Sequence, residues 1–383
     1  MRSMGSALRV IATLTLASFF QSVEAVDAPP TEIDADGTAH IPALQVPFSD
    51  LTSPEARKSF VETMQRRKDV QKLVPTADPA HPESIQAVRR ALDEYRMIPG
   101  LARLRSVFAV NITPERIAGV QTDVVLPKTG VSAANKHRVL INLHGGGMTA
   151  GARFGGQMES VPIASLAGIK VITLDYRMAP EWHFPAASED VASVYRALLK
   201  SYPAPNIGIY GCSSGAQLTA QAVAWFQTHN LPRPGAIGLF GEGGTGEDRW
   251  GDSNYMSGAL GGYGVRSQRL EKSPTALDYL GSTDRNDPMV APAYHDDVLR
   301  SFPPTLLISG TRDVALSTVL YAHAHLVDVG VHADLHVWEG TIHCAFAEGE
   351  VDPNVPETRQ TWKVITHFFD QHLGREPIGD HYP

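Results

Sequence analysis

Short apolar runs rich in β-branched residues recur from residue 119 onward, at 119–126, 138–143, 170–174, 207–210, 236–240, 305–309 and 334–338. Stretches with apolar residues every three or four positions fall between them, at 189–200, 215–228, 318–329 and 356–372. Runs of four to eight apolar residues bounded by turn formers read as buried strands, and 3.6-residue spacing reads as amphipathic helix. Their alternation predicts an α/β fold: a mostly parallel central sheet with helices on both faces.

The N-terminal third reads differently. Residues 10–20 are apolar, Arg2 and Arg9 flank the start, and Val23-Glu24-Ala25 places small residues where a signal peptidase cuts. The spacing predicts a signal peptide cleaved after Ala25 and a secreted or periplasmic protein. The apolar run is too short for a bilayer, which needs about 20 residues, and no later segment is long and apolar enough either. No integral membrane segment is therefore expected after cleavage. Residues 26–47 are rich in Pro, Asp and Ala without periodicity and read as an arm. Ser53-Pro54-Glu55 supplies an N-cap, a first-turn proline and an acid, opening a helix through about Arg67. A second helix is expected over 82–95, closed by Pro99-Gly100. Residues 48–110 thus form a helical region, and 111–241 with 303–383 form the α/β core. Residues 242–302 break the alternation with Gly-rich turns, Trp250, Tyr255, Met256, Tyr263 and a short helix expected over 275–280. A long insertion between core strands commonly serves as a lid.

Composition narrows the classes. Of 383 residues 43% are hydrophobic and 19% charged, enough to fill a large core and too apolar for disorder. The 33 glycines and 27 prolines call for many turns. The formal charge is −8, or −9 once Arg2, Arg9 and Glu24 leave with the signal, which disfavours nucleic acid or an anionic membrane surface as partner. Two cysteines cannot build a thiol-rich scaffold or a four-thiolate zinc site. Asn111-Ile112-Thr113 matches a glycosylation acceptor, relevant only to eukaryotic secretion.

Four segments carry chemistry. Gly211-Cys212-Ser213-Ser214-Gly215 follows one apolar run and opens a helical pattern, the strand–turn–helix context of a nucleophile elbow that exposes the Ser213 hydroxyl. The pentapeptide is weak alone and gains weight from His144-Gly145-Gly146-Gly147, which follows the 138–143 run. Glycines let backbone N–H groups approach a developing oxyanion; Gly146, Gly147 and Ser214 are the expected donors. A serine needs a base, and the base an acid to fix its tautomer. Asp313 lies past the 305–309 run and His343 past the 334–338 run, in the chain order Ser, Asp, His of an α/β-hydrolase. Of the competing histidines His323, His325, His332 and His336, the first two fall within an expected helix and the last within a strand, and His343 alone follows the last expected strand in a Gly-preceded loop.

These motifs resemble the hormone-sensitive-lipase branch of the α/β-hydrolases. The resemblance rests on the His144 to Gly147 loop, Asp175-Tyr176-Arg177-Met178-Ala179-Pro180-Glu181, Phe184-Pro185-Ala186-Ala187, the elbow, Asp287-Pro288, Pro303-Pro304 and 310–313. It spans about residues 115–373. It implies the α/β-hydrolase fold, a helical cap drawn from 48–110 and 242–302, and cofactor-free ester hydrolysis. The elbow departs from that branch, which usually carries Asp before the serine and Ala-Gly-Gly after it; here Cys212 precedes and Ser214-Gly215-Ala216 follows. Asp175, Arg177, Glu181 and Asp190 are expected to form one charged cluster beneath the oxyanion loop.

Cys212 precedes the expected nucleophile and Cys344 follows the expected base. Bringing Ser213 to His343 brings these neighbours near the roughly 5.5 Å Cα separation of a disulfide. A Cys212–Cys344 bridge is therefore expected, with two buried thiols as the alternative. The arrangement is similar to the Cys-Ser and His-Cys pairing of tannase and feruloyl-esterase-like hydrolases. Together these readings predict an exported serine ester hydrolase acting on small or short-acyl esters. An amidase or lactonase with the same triad, and a non-catalytic small-molecule-binding member of the fold, remain alternatives. The oligomeric state is left open.

Overall fold

The computed structural model describes residues 31–246, 251–263, 277–347 and 349–374. The expected signal peptide, Trp250 and residues 275–276 lie outside the described residues. Two compact units divide the chain at residue 47. In the first, β1 (Glu32–Ile33) and β2 (Ala39–His40) pair antiparallel around a turn, with His40 Nε2 2.7 Å from Asp34 Oδ2.

The second unit begins with α1 (Pro54–Gln71), whose first turn is capped by Ser53 Oγ accepting from the Ala56 N–H. It runs a turn past the expected end at Arg67. The next helical stretch also overruns its expected stop: α2 (Ile85–Leu92) leads through a π-helical turn (Asp93–Met97) into α3 (Ile98–Val107). Pro99 does not end it because the Ile98 N–H reaches back to the Asp93 carbonyl, widening the ladder just ahead of the proline. Pro99 then sits in a first turn, where no donor is needed.

β3 (Val110–Ile117) and β4 (Val120–Pro127) form a hairpin whose two-residue loop, Ala118-Gly119, has positive φ at both positions, as tight hairpin turns require. The chain continues as β5 (Val139–Leu143), α4 (Phe154–Ala167), β6 (Lys170–Leu174), α5 (Ala186–Leu198), β7 (Ile207–Cys212), α6 (Ser214–Thr228) and β8 (Ala236–Phe240). In the long insertion, α7 (Asp252–Leu260) and the one-turn α8 (Asp296–Leu299) form, whereas 277–280 are turns and not the expected helix. The chain closes with β9 (Thr305–Arg312), α9 (Leu316–Asp328), β10 (Ala333–Ile342) and α10 (Pro356–His372).

The sheet has eight strands in the order β10-β9-β8-β7-β5-β6-β4-β3. Strands β5 to β10 pair parallel, and β4 and β3 are antiparallel at one end. This is the α/β-hydrolase architecture. Alternate residues feed two cores: Ile141, Ile172, Ile209, Leu239 and Leu307 face α5, α6 and α9, while Leu140, Val171, Tyr210, Phe240 and Leu306 face α4 and α10. Burying both faces explains why these strands read as continuous apolar runs. The arrangement also aligns the carboxyl ends of β5, β7, β8, β9 and β10, where open α/β sheets place their sites.

Candidate active site

The turn between β7 and α6 is built by exclusion. A Cβ at Gly211 would lie 2.2 Å from the Leu143 carbonyl oxygen, and one at Gly215 would lie 1.9 Å from the same atom. Only glycines let β7 turn into α6 against the end of β5. Ser213, between them, is held at φ 57° and ψ −126°, a region side-chain-bearing residues rarely occupy. Its N–H donates to the Phe240 carbonyl at the end of β8, anchoring the turn. Such a stretched corner is how a strand-to-helix turn exposes a serine hydroxyl.

Just past β9 and β10 the expected acid and base meet. His343 Nδ1 lies 2.7 Å from Asp313 Oδ1. The Asp313 carboxylate is almost wholly buried and also accepts from Ser309 Oγ at 2.9 Å and from the Ala315 N–H at 2.9 Å. A satisfied, immobile carboxylate selects the histidine tautomer that leaves Nε2 to accept a proton. The competing histidines lie elsewhere: His323 and His325 are on α9, and His336 stacks on Trp338.

Joining the base to the elbow requires His343 to cross the end of β8, and Gly241 provides the passage. A Cβ there would sit 3.0 Å from the His343 Cε1 and 3.1 Å from the Cys344 sulfur. Cys212 and Cys344 meet at this crossing, with sulfurs at bonding distance and Cα atoms 6.2 Å apart. That contact joins the residue before Ser213 to the residue after His343. Tyr263, after α7, lays its ring edge-to-face on the imidazole of His343 at 5.8 Å, and the Arg67 guanidinium sits 5.3 Å over Tyr263.

The loop after β5 holds the expected oxyanion donors. Gly146 and Gly147 have φ 126° and 62°, and a Cβ at Gly146 would strike the Ala150 carbonyl at 2.1 Å. Among the described residues, the N–H groups of Gly146, Gly147 and Ser214 have no backbone partner, as donors kept for a ligand require. Gly145 does not contribute in that way: its N–H donates to Glu159 Oε1 at 2.8 Å. His144 is buried, stacks on Tyr176 at 4.3 Å, and through Nδ1 meets the Gly145 carbonyl at 2.8 Å. Burial lowers its pKa to about 4, so the ring is neutral and serves as a rigid wedge under the loop.

Two supporting residues escaped the sequence reading. Glu159 on α4 also accepts from Asn142 Nδ2 at 2.8 Å, so one carboxylate clamps both the end of β5 and the start of the glycine loop. No motif flags it, because its partner is a backbone N–H. Glu242 follows β8; burial raises its pKa, while Thr245, Gly243 and the nearby His343 oppose the shift. The expected single charged cluster divides instead into separate contacts. Arg177 pairs with Asp190 and Glu189, each at 2.9 Å, and Glu181 pairs with Arg89 at 2.8 Å. Asp175 accepts from the Arg153 N–H at 2.6 Å, and burial pushes its carboxyl up to about 6. They separate because Asp175 and Asp190 each hold a different backbone N–H, of Arg153 and Arg177, while Glu181 turns to the side chains of Arg89 and Gln86. Arg89 also donates to the carbonyls of Thr149 and Ala179, tying α2 to the glycine loop.

A further brace joins the N-terminal helices to the histidine loop. Glu350, 8% exposed at its side chain, receives Arg67 Nε and Arg96 Nε, each at 2.7 Å. Arg66 donates to the Glu350 carbonyl, and Arg103 to that of Gly349.

Comparison with known proteins agrees with this geometry. Residues 140–347 match the family model described as alpha/beta hydrolase fold. An acetyl-hydrolase of Streptomyces hygroscopicus is 28% identical over 235 residues, covering 60% of this chain and 75% of that protein. The crystal structure of esterase E25 superposes with a TM-score of 0.74 at 31% identity, over 87% of this chain and 98% of that one. A bacterial esterase of the hormone-sensitive lipase family gives 0.68 at 25% identity, over 84% and 99%. None of these three is a tannase or feruloyl esterase, and the likeness to that group rests on the two cysteines alone. With more than half of its residues matching that family model, and with an esterase of the hormone-sensitive lipase family among its structural neighbours, the chain belongs to the alpha/beta hydrolase fold family, in the branch resembling hormone-sensitive lipase.

Proposed function

We propose that this carboxylesterase-type hydrolase is an exported serine esterase that cleaves small or short-acyl carboxylic esters through Ser213, His343 and Asp313. The contact between His343 and Asp313, beside an elbow that fixes Ser213 at positive φ, carries the reading. Ser213 Oγ attacks the ester carbonyl while His343 Nε2 takes its proton, and the imidazolium formed is stabilised by Asp313. The negative charge on the carbonyl oxygen falls to the N–H groups of Gly146, Gly147 and Ser214, each worth about 3 kcal/mol of barrier. Collapse of the tetrahedral species releases the alcohol, protonated by His343. Water then attacks the acyl-Ser213 ester along the same route and frees the acid. None of these steps calls on a metal or organic cofactor.

The acetyl group in the name of the Streptomyces relative supports a short acyl chain. Residues 48–110 and 242–302 are taken to form the cap over the site, with Tyr263 at the histidine. The Cys212–Cys344 pair is taken to be oxidised in the exported protein, where disulfides persist.

A series of chromogenic esters of increasing acyl length tests the assignment. Turnover is expected to fall with chain length, to drop by about 10⁴-fold or more in Ser213→Ala, and by about 10⁴-fold in Asp313→Asn, which misorients the histidine. Turnover that survives Ser213→Ala would exclude this nucleophile. Export predicts that mass spectrometry of the secreted protein finds Val26 at the N-terminus; an intact residue 1 in that fraction contradicts it.

A further inference from the structure

At the end of the sheet remote from the elbow, β10 begins beside the last turn of α10. His332, just before β10, and Asp334, its second residue, are two positions apart and so share a face of the extended chain. His372 closes α10 next to them. His332 Nε2 lies 3.4 Å from Asp334 Oδ1, and the His332 and His372 ring centroids are 4.8 Å apart. One ligand atom from each of the three lies within 4.8 Å of the other two.

We propose that His332, Asp334 and His372 form a binding site for a late first-row divalent cation, with zinc as the reference ion. Two imidazoles and one carboxylate are the donor set that zinc, nickel and copper favour over magnesium or calcium, which take all-oxygen shells. Zinc–ligand bonds of about 2.0–2.1 Å place tetrahedral neighbours about 3.3 Å apart. The His332–Asp334 separation already matches that edge, and only His372 has to approach, by at most about 1.5 Å. Its side chain is half-buried and that of His332 exposed, so the approach displaces no core residue.

The scaffold is suited to the task. The His332 carbonyl accepts from the Thr305 N–H, fixing the start of β10 to β9. Phe368, one turn earlier on α10, packs its ring 4.5 Å from that of His372 and limits where the imidazole swings. The partial negative charge at the C-terminus of a 17-residue helix adds attraction for a cation. Remaining coordination positions face solvent and would hold water. This site is far from the proposed nucleophile in chain connectivity and makes no claim on the hydrolysis; bound metal would strap the C-terminal helix to the edge strand.

Calorimetric titration of the purified full chain with zinc chloride, after removal of chelators and tags, tests it. One zinc per chain is expected, accompanied by a higher Tm, with nickel competing and magnesium and calcium without effect. Cobalt substitution should give visible absorption bands of an imidazole-ligated ion. His332→Ala and His372→Ala should each abolish the stoichiometric binding and the absorption bands, and Asp334→Asn should weaken both, with circular dichroism unchanged. His343→Ala should leave binding intact. Absence of saturable zinc binding overturns the proposal, as does binding that persists in both His332→Ala and His372→Ala.

Discussion

Two buried ionisable groups flank the glycine loop and pull stability in opposite directions as pH changes. His144 has its pKa lowered by burial from 6.5 to about 4, so the unfolded chain binds the proton more readily and stability is lost as pH falls from 6.5 towards 4. Asp175 is raised by burial from 3.8 to about 6, so it favours folding when protonated and withdraws that stability as pH rises from 3.8 through 6. At 1.36 kcal/mol per pH unit each amounts to about 3 kcal/mol. Across pH 4 to 6 the two nearly cancel. Chemical denaturation at several pH values should therefore reveal them only one at a time: Asp175→Asn should steepen acid destabilisation, and His144→Gln should make the protein more stable at pH 4.5 than at 6.5, relative to wild type. Parallel curves for wild type and both variants would show that neither group titrates as stated. Neither effect is visible in the sequence, where His144 reads as part of the glycine-loop motif and Asp175 as part of a motif and of a charged cluster. A motif names the residue, whereas its pKa depends on what folding stacks around it.

At the scale of elements, legibility followed burial. Strands β5 to β9 are covered on both faces and announce themselves as apolar runs, and α6, α9 and α10 as periodic ones. Edge strand β3 carries Pro114, Glu115 and Arg116 with most positions exposed, so it shows no hydrophobic signature. Helix α4 was missed for the reverse reason. It is buried around most of its circumference, contains Gly155, Gly156 and Pro162, and so lacks the polar stripe that marks a surface helix. That omission concealed Glu159, which rides on α4. The strained turn at Ser213 and the Asp313–His343 contact were legible because each of these residues follows a recognisable strand. The approach of Cys212 to Cys344 was legible because the two cysteines adjoin Ser213 and His343 in the chain. If that link is a covalent bridge closing a 132-residue separation, loop entropy allows it up to about 5 kcal/mol. The Cys212→Ala/Cys344→Ala variant should then unfold at lower denaturant and lose kcat more than it changes KM, since His343 gains freedom. Equal midpoints with and without reductant would remove the bridge from the account.

For the whole molecule, the histidine is supported from outside the sheet as well as within it. Glu350 lies seven residues past His343 and gathers Arg67 from α1 and Arg96 from the π-helical turn before α3. Breaking a buried charge pair costs about 3–5 kcal/mol, because the partner charges are left uncompensated. Glu350→Ala should thus lower the Tm and depress ester turnover although it touches no substrate; an unchanged Tm would show the brace to be dispensable. The same contacts bear on how this protein tolerates being cut. The first helix is a splint for a loop nearly three hundred residues later, so deleting it to obtain a smaller catalytic core would strand a buried carboxylate and unseat the base. Fusion partners and surface tethers are better placed ahead of residue 48, where the first unit ends, than within the helices that follow it.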